Sequence, residues 1–267
     1  MKMFTMQVAR WTAVSILALG LEGAGASWAF ASDATSVGHK GQQAANSAVT
    51  PELPGMTPEM TADLMVAHQK YMDALEAYLK IKPQTAQIYN KIGVAYEHLQ
   101  MNDDAKGYYM RAIKADHKFA DAYNNLGTVY FREKDYQEAE RLYRKAIKAN
   151  NKNASYFGNL GTLYMTTKRY HDGAEAYQHA FVLDSDIFRE AAERGIRDDS
   201  SAEDLAQMNY CFAEIYAQAG MKTEALEYLR KAVNVGFHDK AELTADPNFA
   251  SLHDMPEFQQ LIATRTR

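Results

Sequence analysis

The fold is decided by the stretch AQIYNKIGVAYEHLQMNDDAKGYYMRAIKADHKF (86–119), which recurs as ADAYNNLGTVYFREKDYQEAERLYRKAIKANNKN (120–153) and ASYFGNLGTLYMTTKRYHDGAEAYQHAFVLDSDI (154–187). Overlaid at a spacing of 34 residues, these segments share residue types at several positions. The shared sets are Tyr89, Tyr123 and Phe157 at position four; Gly93, Gly127 and Gly161 at position eight; Tyr96, Tyr130 and Tyr164 at position eleven; Ala105, Ala139 and Gly173 at position twenty; Tyr109, Tyr143 and Tyr177 at position twenty-four. A fixed period of this length predicts an array of stacked, similar units.

Each unit is predicted to be a pair of helices. Apolar residues recur at three and four residues, and no proline occurs between Pro83 and Pro247, which favours uninterrupted helices. We expect the small residue at position eight to face the small residue at position twenty, where two helices approach closely, while the large rings fill the space between pairs. The expected pairs are Gly93 with Ala105, Gly127 with Ala139, Gly161 with Gly173, and Ala213 with Ala225.

This pattern resembles the tetratricopeptide repeat (TPR). The resemblance implies an all-α, right-handed TPR solenoid of antiparallel helix pairs with helical caps. A fourth, degenerate unit begins near Ala206. Position thirty-two, usually proline in the family, is His117, Asn151 and Ser185 here, so those turns must close in another way.

The sequence predicts seven segments along the chain. They are a signal peptide (1–31), a flexible linker (32–56), an N-terminal helical cap (57–85), three TPR units (86–187), an insertion (188–205), the degenerate fourth unit (206–238) and a C-terminal capping segment (239–267). The linker is rich in small and polar residues without apolar periodicity, so it buries too little to offset the entropy of ordering. The closing segment resembles the one that follows the last repeat in many bacterial TPR proteins, and it would cover the apolar face of the final unit.

The first residues are typical of a secretory leader. Lys2 and Arg10 precede the apolar run Trp11–Leu21, and Ala29-Phe30-Ala31 offers an A-x-A cleavage signal. The apolar run is shorter than the ~20 residues that span a bilayer. We expect export, to the periplasm or alternatively outside the cell. Cleavage at Ala24–Ala26, an uncleaved anchor and a disordered tail remain alternatives.

Composition excludes several functions as first interpretations. Lys and Arg number 29 against 34 Asp and Glu, and no basic run occurs, so nucleic acid is not an expected partner. The single cysteine, Cys211, cannot form an internal disulfide or a CxxC pair. Phosphate-binding loops, GxSxG, HExxH and dinucleotide-binding motifs are missing from the sequence, so we predict no enzyme, no cofactor and no small-molecule substrate.

One helical spacing could bind a metal. His171, Glu175 and His179 lie four residues apart, so they share one helix face with two imidazoles and a carboxylate. They fall on the second helix of a unit, whose unburied side faces outward in the family. We therefore favour a solvated stripe and predict no metal. Cys211 is interpreted as a buried, inert thiol.

The resemblance places a partner-binding groove along the first helices of the units. The predicted partner-binding residues are Asn90, Val94, Glu97, Asn124, Asn125, Thr128, Phe131, Asn159, Thr162 and Met165. Some TPR domains bind a C-terminal carboxylate with Lys and Arg in this groove. The corresponding positions here are Asn90, Ser155 and Asn159, with only Asn125 in agreement, so that clamp is not supported.

Asparagine both donates and accepts hydrogen bonds, so the row could bind the backbone of an extended peptide while Val94, Phe131 and Met165 contact its side chains. Alternatively, asparagine is only a neutral polar residue on a solvated face.

The resulting hypothesis is a non-enzymatic adaptor that presents its groove to a peptide or partner subunit in the cell envelope. The alternatives are a self-associating structural module, for example a homodimer, and an accessory subunit of an envelope enzyme or secretion complex. Membrane contact is expected only through an uncleaved leader.

Overall fold

The computed structural model describes residues 55–195, 200–237 and 239–263. The predicted signal peptide and all but the last two residues of the predicted linker lie outside the described residues, as do residues 196–199 and 264–267. The helices are α1 Pro58–Ala67, α2 Tyr71–Lys80, α3 Ala86–His98, α4 Asn102–Ala115, α5 Ala120–Arg132, α6 Tyr136–Ala149, α7 Ala154–Thr166, α8 Tyr170–Leu183, α9 Ser185–Gly195, α10 Ala202–Gln218, α11 Lys222–Val235, α12 Lys240–Ala245, a 3-10 helix Pro247–Leu252 and α13 Pro256–Ala263.

The helices form consecutive pairs, and each pair packs on the next. The pairs are α1/α2, α3/α4, α5/α6, α7/α8 and α10/α11. Within the described ranges no strand occurs, and none of their helices is long and apolar enough to cross a membrane. The predicted all-α solenoid of helix pairs is confirmed.

All five pairs turn in the same way. The residues Gln69, Gln100, Lys134, Lys168 and Gly220 each adopt a left-handed backbone, with φ between 59° and 75°. At each turn two consecutive amides donate back to carbonyls of the preceding helix, as in Lys134 N to Phe131 O (3.0 Å) and Asp135 N to Tyr130 O (2.9 Å). This arrangement satisfies carbonyl groups that the end of a helix would otherwise leave unpaired.

The N-terminal pair is a shortened repeat. Its turn residue Gln69 lies 31 positions before Gln100, so aligning it requires a spacing of 31 rather than 34. At that spacing Ala62, Ala74 and Tyr78 occupy positions eight, twenty and twenty-four, and all three are buried. The segment aligns poorly at the longer period because α2 has 10 residues where α4 has 14.

The glycine at position eight of each of the three units faces a tyrosine ring. The predicted pairing of position eight with the small residue at position twenty did not include this ring. A Cβ at Gly161 would lie 2.7 Å from Cδ1 of Tyr177, and one at Gly127 would lie 2.9 Å from the same atom of Tyr143. A Cβ at Gly173 would lie 3.0 Å from Cε of Met165. The small residue at position eight therefore makes room for the ring at position twenty-four.

The closing segment packs on the fourth unit. The 3-10 helix contacts α10 and α11, and α13 contacts α11. Its buried side chains are Leu243, Phe249, Leu252, Phe258 and Leu261. The Tyr210 hydroxyl donates to Asp246 (2.6 Å), which ties the segment to the first helix of that unit.

Helix α9 adds a third helix to the third unit. It begins at Ser185, three residues before the predicted insertion, and packs on both α7 and α8. Phe188 and Ala191 are fully buried on its inner side. The Phe188 ring contacts Phe212 and Tyr216 of the fourth unit edge-on, so α9 also contributes to the packing between the two units.

Candidate functional site: the concave groove

The predicted asparagine row is a continuous hydrogen-bonded ladder. Asn159 Nδ2 donates to Asn124 Oδ1 (2.8 Å), and Asn125 Nδ2 donates to Asn90 Oδ1 (3.0 Å). Asn124 Nδ2 joins the two rungs by donating to Asn125 Oδ1 (3.3 Å). The ladder therefore links α3, α5 and α7 along the groove.

The same register continues into the shortened N-terminal unit. Each rung joins position six of one unit to position five of the unit before it. At the first junction these positions are Lys91 and Glu59, whose charged groups lie 2.8 Å apart. Lys91 also pairs with Asp63 at 2.6 Å. Pairing between neighbouring units thus accounts for the polar residues at these positions without a ligand.

The ladder leaves some hydrogen-bonding capacity. Asn124 and Asn159 are buried, whereas Asn90 and Asn125 are only half-buried. An amide carries two N–H donors and two acceptor lone pairs, and the ladder uses some of them. The partly accessible Asn90 and Asn125 therefore retain donor and acceptor positions that the ladder does not use.

Half-buried apolar groups border these two amides. Val94 lies on α3, and Phe131 lies on α5 with its ring 5.6 Å from that of Tyr136. Thr128, also on α5, donates to Asn124 O and accepts from the hydroxyl of Tyr143. Together with Asn90 and Asn125, these partly accessible side chains of α3 and α5 define what we call the strip.

Glu97 is held by its neighbours. Its carboxylate accepts from the Tyr109 hydroxyl (2.6 Å) and pairs with Arg132 of the next unit (2.7 Å). Burial and the Glu97 carboxylate raise the pKa of Tyr109 well above its ordinary value, so its hydroxyl stays protonated and keeps donating. Glu97 thus connects two units and is only partly available to a partner.

Helix α9 covers the groove at the third unit. Ala191 Cβ would lie 2.9 Å from a Cβ at Gly158, and Ala191 O accepts from the Tyr177 hydroxyl (3.0 Å) and from Thr162 Oγ1 (3.3 Å). Met165 is 3% exposed and shares a core cluster with Phe188.

The ten predicted residues therefore divide into two groups. The first group lies on α3 and α5 and comprises Asn90, Val94, Glu97, Asn124, Asn125, Thr128 and Phe131, all but Asn124 partly accessible. Asn159, Thr162 and Met165 lie on α7, the helix that α9 covers. Sequence reasoning missed this cover. The one sign of this cover in the sequence is Gly158. It stands at position five, where the other two units have asparagine, and it allows another backbone to approach.

The metal candidates are spread along an outer face. His171, Glu175 and His179 are exposed on α8, and the His179 ring stacks on Phe157. In the part of the chain that the structure describes, no group of three or more His, Cys, Asp or Glu could hold a metal ion. Cys211 is buried, and desolvation raises its pKa to about 12, which disfavours the reactive thiolate.

Comparison with known proteins identifies the repeat. Tetratricopeptide-repeat family models match residues 84–152, 135–186 and 206–235. No curated protein matches the chain in sequence.

Among solved structures, MamA is 21% identical, with 65% of this chain and 93% of that chain covered and a TM-score of 0.45. YrrB, described as a TPR protein with an unusual peptide-binding site, is 19% identical over 70% of this chain and 89% of that one, with a TM-score of 0.43. The Arabidopsis OM64 TPR domain is 25% identical over 42% and 93% of the two chains, with a TM-score of 0.39. With three matching repeat models and a fold of packed helix pairs, this chain belongs to the tetratricopeptide-repeat proteins, a family whose folds act as protein–protein interaction scaffolds.

Proposed function

We propose that the protein is a non-enzymatic adaptor whose groove over α3 and α5 binds an extended peptide segment of a partner protein. One observation carries this proposal: α9 covers the concave side of α7, whereas Asn90, Asn125, Thr128 and Phe131 stay partly accessible on the two preceding units. The proposed groove therefore extends over two units rather than the three that the sequence predicted.

The chemistry of this strip suits an extended backbone. Asn90 and Asn125 offer amide donors and acceptors, which pair with peptide groups in either direction. Val94 and Phe131 offer apolar surface for alternate side chains of the same segment. The strip has few free charges, because Glu97 and Arg132 neutralise each other.

The proposed location is the cell envelope. The leader-like residues 1–31 support export, with the periplasm as the first choice and secretion as the alternative. The mildly acidic composition supports a protein rather than a nucleic acid as partner. The missing catalytic motifs support an adaptor without cofactors, either alone or as a subunit of an envelope complex.

Affinity capture from an envelope extract tests the groove directly. The bait is the chain without its leader, compared with an Asn125→Ala/Phe131→Ala variant and with a matched Gln137→Ala/Lys148→Ala variant, whose sites are exposed on α6. We expect a partner that wild type and the α6 variant capture and that the groove variant loses. Circular dichroism must show equal helicity, because Asn125 also contributes to the ladder. An identical protein list from all three baits, or an empty one, would contradict the proposal.

A further inference from the structure

A second concave site lies outside the groove, between the third unit, the fourth unit and the closing segment. It is a cleft of about 750 Å³ with walls from α8, α10 and α12. Its position follows from α9, which takes the main contacts with α7 while α10 packs on α8. As a result the polar outer face of α8 borders the first helix of the next unit.

Carboxyl groups converge on this cleft from all of its walls. Glu175 comes from α8, Glu214 from α10, Glu242 from α12 and Asp246 from the residue after it. No lysine or arginine lines the cleft among the described residues; the other ionisable groups there are His171, His179, Tyr210 and Cys211. The described lining therefore carries excess negative charge.

Among the carboxyl groups of the cleft, Glu214 has the most clearly raised pKa. Burial raises its pKa to about 7, and the nearby Asp246 and Glu242 carboxylates add to the shift. The pKa of Glu242 is also raised, by burial and by Asp239 and Asp246. Asp246 is satisfied by Tyr210 and by the amide of Asn248, whereas Glu214 has only the Asn248 side chain as a described donor (3.0 Å).

The other groups that line the cleft also suit a ligand side chain with an aliphatic part and a hydrogen-bond donor at its end. The Gln178 side-chain oxygen is shielded from solvent and has no hydrogen-bond partner among the described residues. Ala174, Ile215 and Ala245 supply apolar surface between the polar groups. Unpaired acceptors around an apolar floor match a side chain that buries its methylenes and donates several N–H bonds at its tip.

We propose that this cleft binds a lysine or arginine side chain of a partner protein, with Glu214 and Asp246 pairing with its cationic head. The site is separate from the α3/α5 groove and would give a partner a second point of attachment. Arginine fits best, because its planar guanidinium donates to two carboxylates at once.

Protonation of Glu214 makes binding depend on pH in a definite direction. A cation stabilises the ionised carboxylate and lowers its pKa, so complex formation near neutral pH releases a proton. Affinity should therefore rise between about pH 6 and about pH 8, the range that brackets the Glu214 pKa of about 7.

Isothermal titration with an arginine peptide tests the proposal. The probe is a blocked alanine peptide containing two arginines, titrated near pH 7 into the full chain in two buffers of different ionisation enthalpy. The control probe replaces both arginines with citrulline, which keeps the shape and removes the charge. The variants are Glu214→Gln, which preserves the bond from Asn248, and the matched Glu257→Gln, whose site is exposed on α13.

We expect wild type and Glu257→Gln to bind the arginine peptide about tenfold more tightly than the citrulline peptide, with proton release. Glu214→Gln should lose both the preference and the proton release. Equal binding of the two probes by wild type, or an arginine preference that survives in Glu214→Gln, would overturn the proposal. The Asn125→Ala/Phe131→Ala variant should keep cleft binding, so failure of the cleft and failure of the groove can be distinguished.

Discussion

At three positions in the repeats, a tyrosine ring occupies the space that a side chain in place of glycine would need. Tyr109, Tyr143 and Tyr177 are buried, and their hydroxyls reach groove residues of the same unit. The sequence has glycine at position eight of all three units, and the tight packing expected there is confirmed. It did not predict the correct neighbour, because a periodic pattern gives the face of a residue and not the rotamer of the ring opposite.

Two glycine-to-alanine substitutions should change stability in opposite directions. Gly161→Ala places a Cβ 2.7–2.9 Å from the enclosed Tyr177 ring, and we expect a loss of about 1–3 kcal/mol in the free energy of unfolding. Gly107→Ala on α4 meets nothing within 4 Å and should gain about 0.5–1 kcal/mol from helix propensity. Urea unfolding followed by circular dichroism measures both values. Equal effects of the two substitutions would refute the close packing at Gly161.

The turn within each helix pair repeats the same backbone conformation, although the residue at the turn differs from pair to pair. Gln69, Gln100, Lys134 and Lys168 adopt a left-handed backbone that glycine occupies at Gly220. The sequence alone did not reveal these turns, because neither glutamine nor lysine indicates a positive φ. Only the bonds that close each turn explain why the chain accepts that conformation.

Replacing one turn residue with glycine should stabilise the protein. Lys134→Gly relieves the left-handed strain, and after the entropy of the unfolded chain is counted we expect a gain of up to about 1 kcal/mol. The matched change Lys145→Gly, inside α6, should lose about 1 kcal/mol. Thermal unfolding of the two variants beside wild type is the measurement. A loss of stability in Lys134→Gly would show that the turn is not strained.

Helix α9 is the element that the sequence located least well. Most of its residues fall in the predicted insertion 188–205, whereas its first three were assigned to the third unit. Its packing on α7 and α8 could not be predicted, because the repeat period specifies neighbours only for segments that belong to the period.

Truncating Phe188 should uncouple the third and fourth units. The side chain is fully buried among Tyr177, Phe181, Phe212 and Tyr216. Phe188→Ala is expected to lose about 3–5 kcal/mol, whereas Arg189→Ala, exposed on the same helix, should lose less than about 0.5 kcal/mol.

Hydrogen exchange shows where the Phe188→Ala loss is felt. Amides of α10 and α11 should lose more protection than those of α3 and α4, because each unit of a solenoid contacts only its neighbours. Uniform loss of protection over all units would instead indicate a single cooperative core.

At the scale of the whole molecule, neighbouring helix pairs are connected by similar contacts, and two features depart from the repeat. The contacts between units repeat one polar register from Lys91 to Asn159. The period of the sequence predicted the units joined by the asparagine contacts, but not the N-terminal pair that Lys91 contacts. The two irregularities are the shortened N-terminal pair and α9. Both change the spacing of the repeat, so a search at one fixed period could not describe them.

These irregularities also affect the two surfaces that we propose as binding sites. Helix α9 packs over α7, and the cleft borders α8, so the same insertion shortens the proposed groove and accompanies the proposed cleft site. The sequence alone placed the candidate groove residues on α3 and α5, and their role in binding stays a prediction. It could not identify the cleft, because Glu214, Glu242 and Asp246 come together only through the packing of the closing segment.

Site-specific photocrosslinking tests the central claim most directly. A benzophenone side chain is placed at Thr128 in the open groove, at Thr162 beside α9, or at Gln137 on the exposed face of α6. Each chain is then irradiated with its captured partner. We predict crosslinks to the partner from Thr128 and none from Thr162 or Gln137. Crosslinks from Gln137 without any from Thr128 would contradict a peptide site in the groove over α3 and α5.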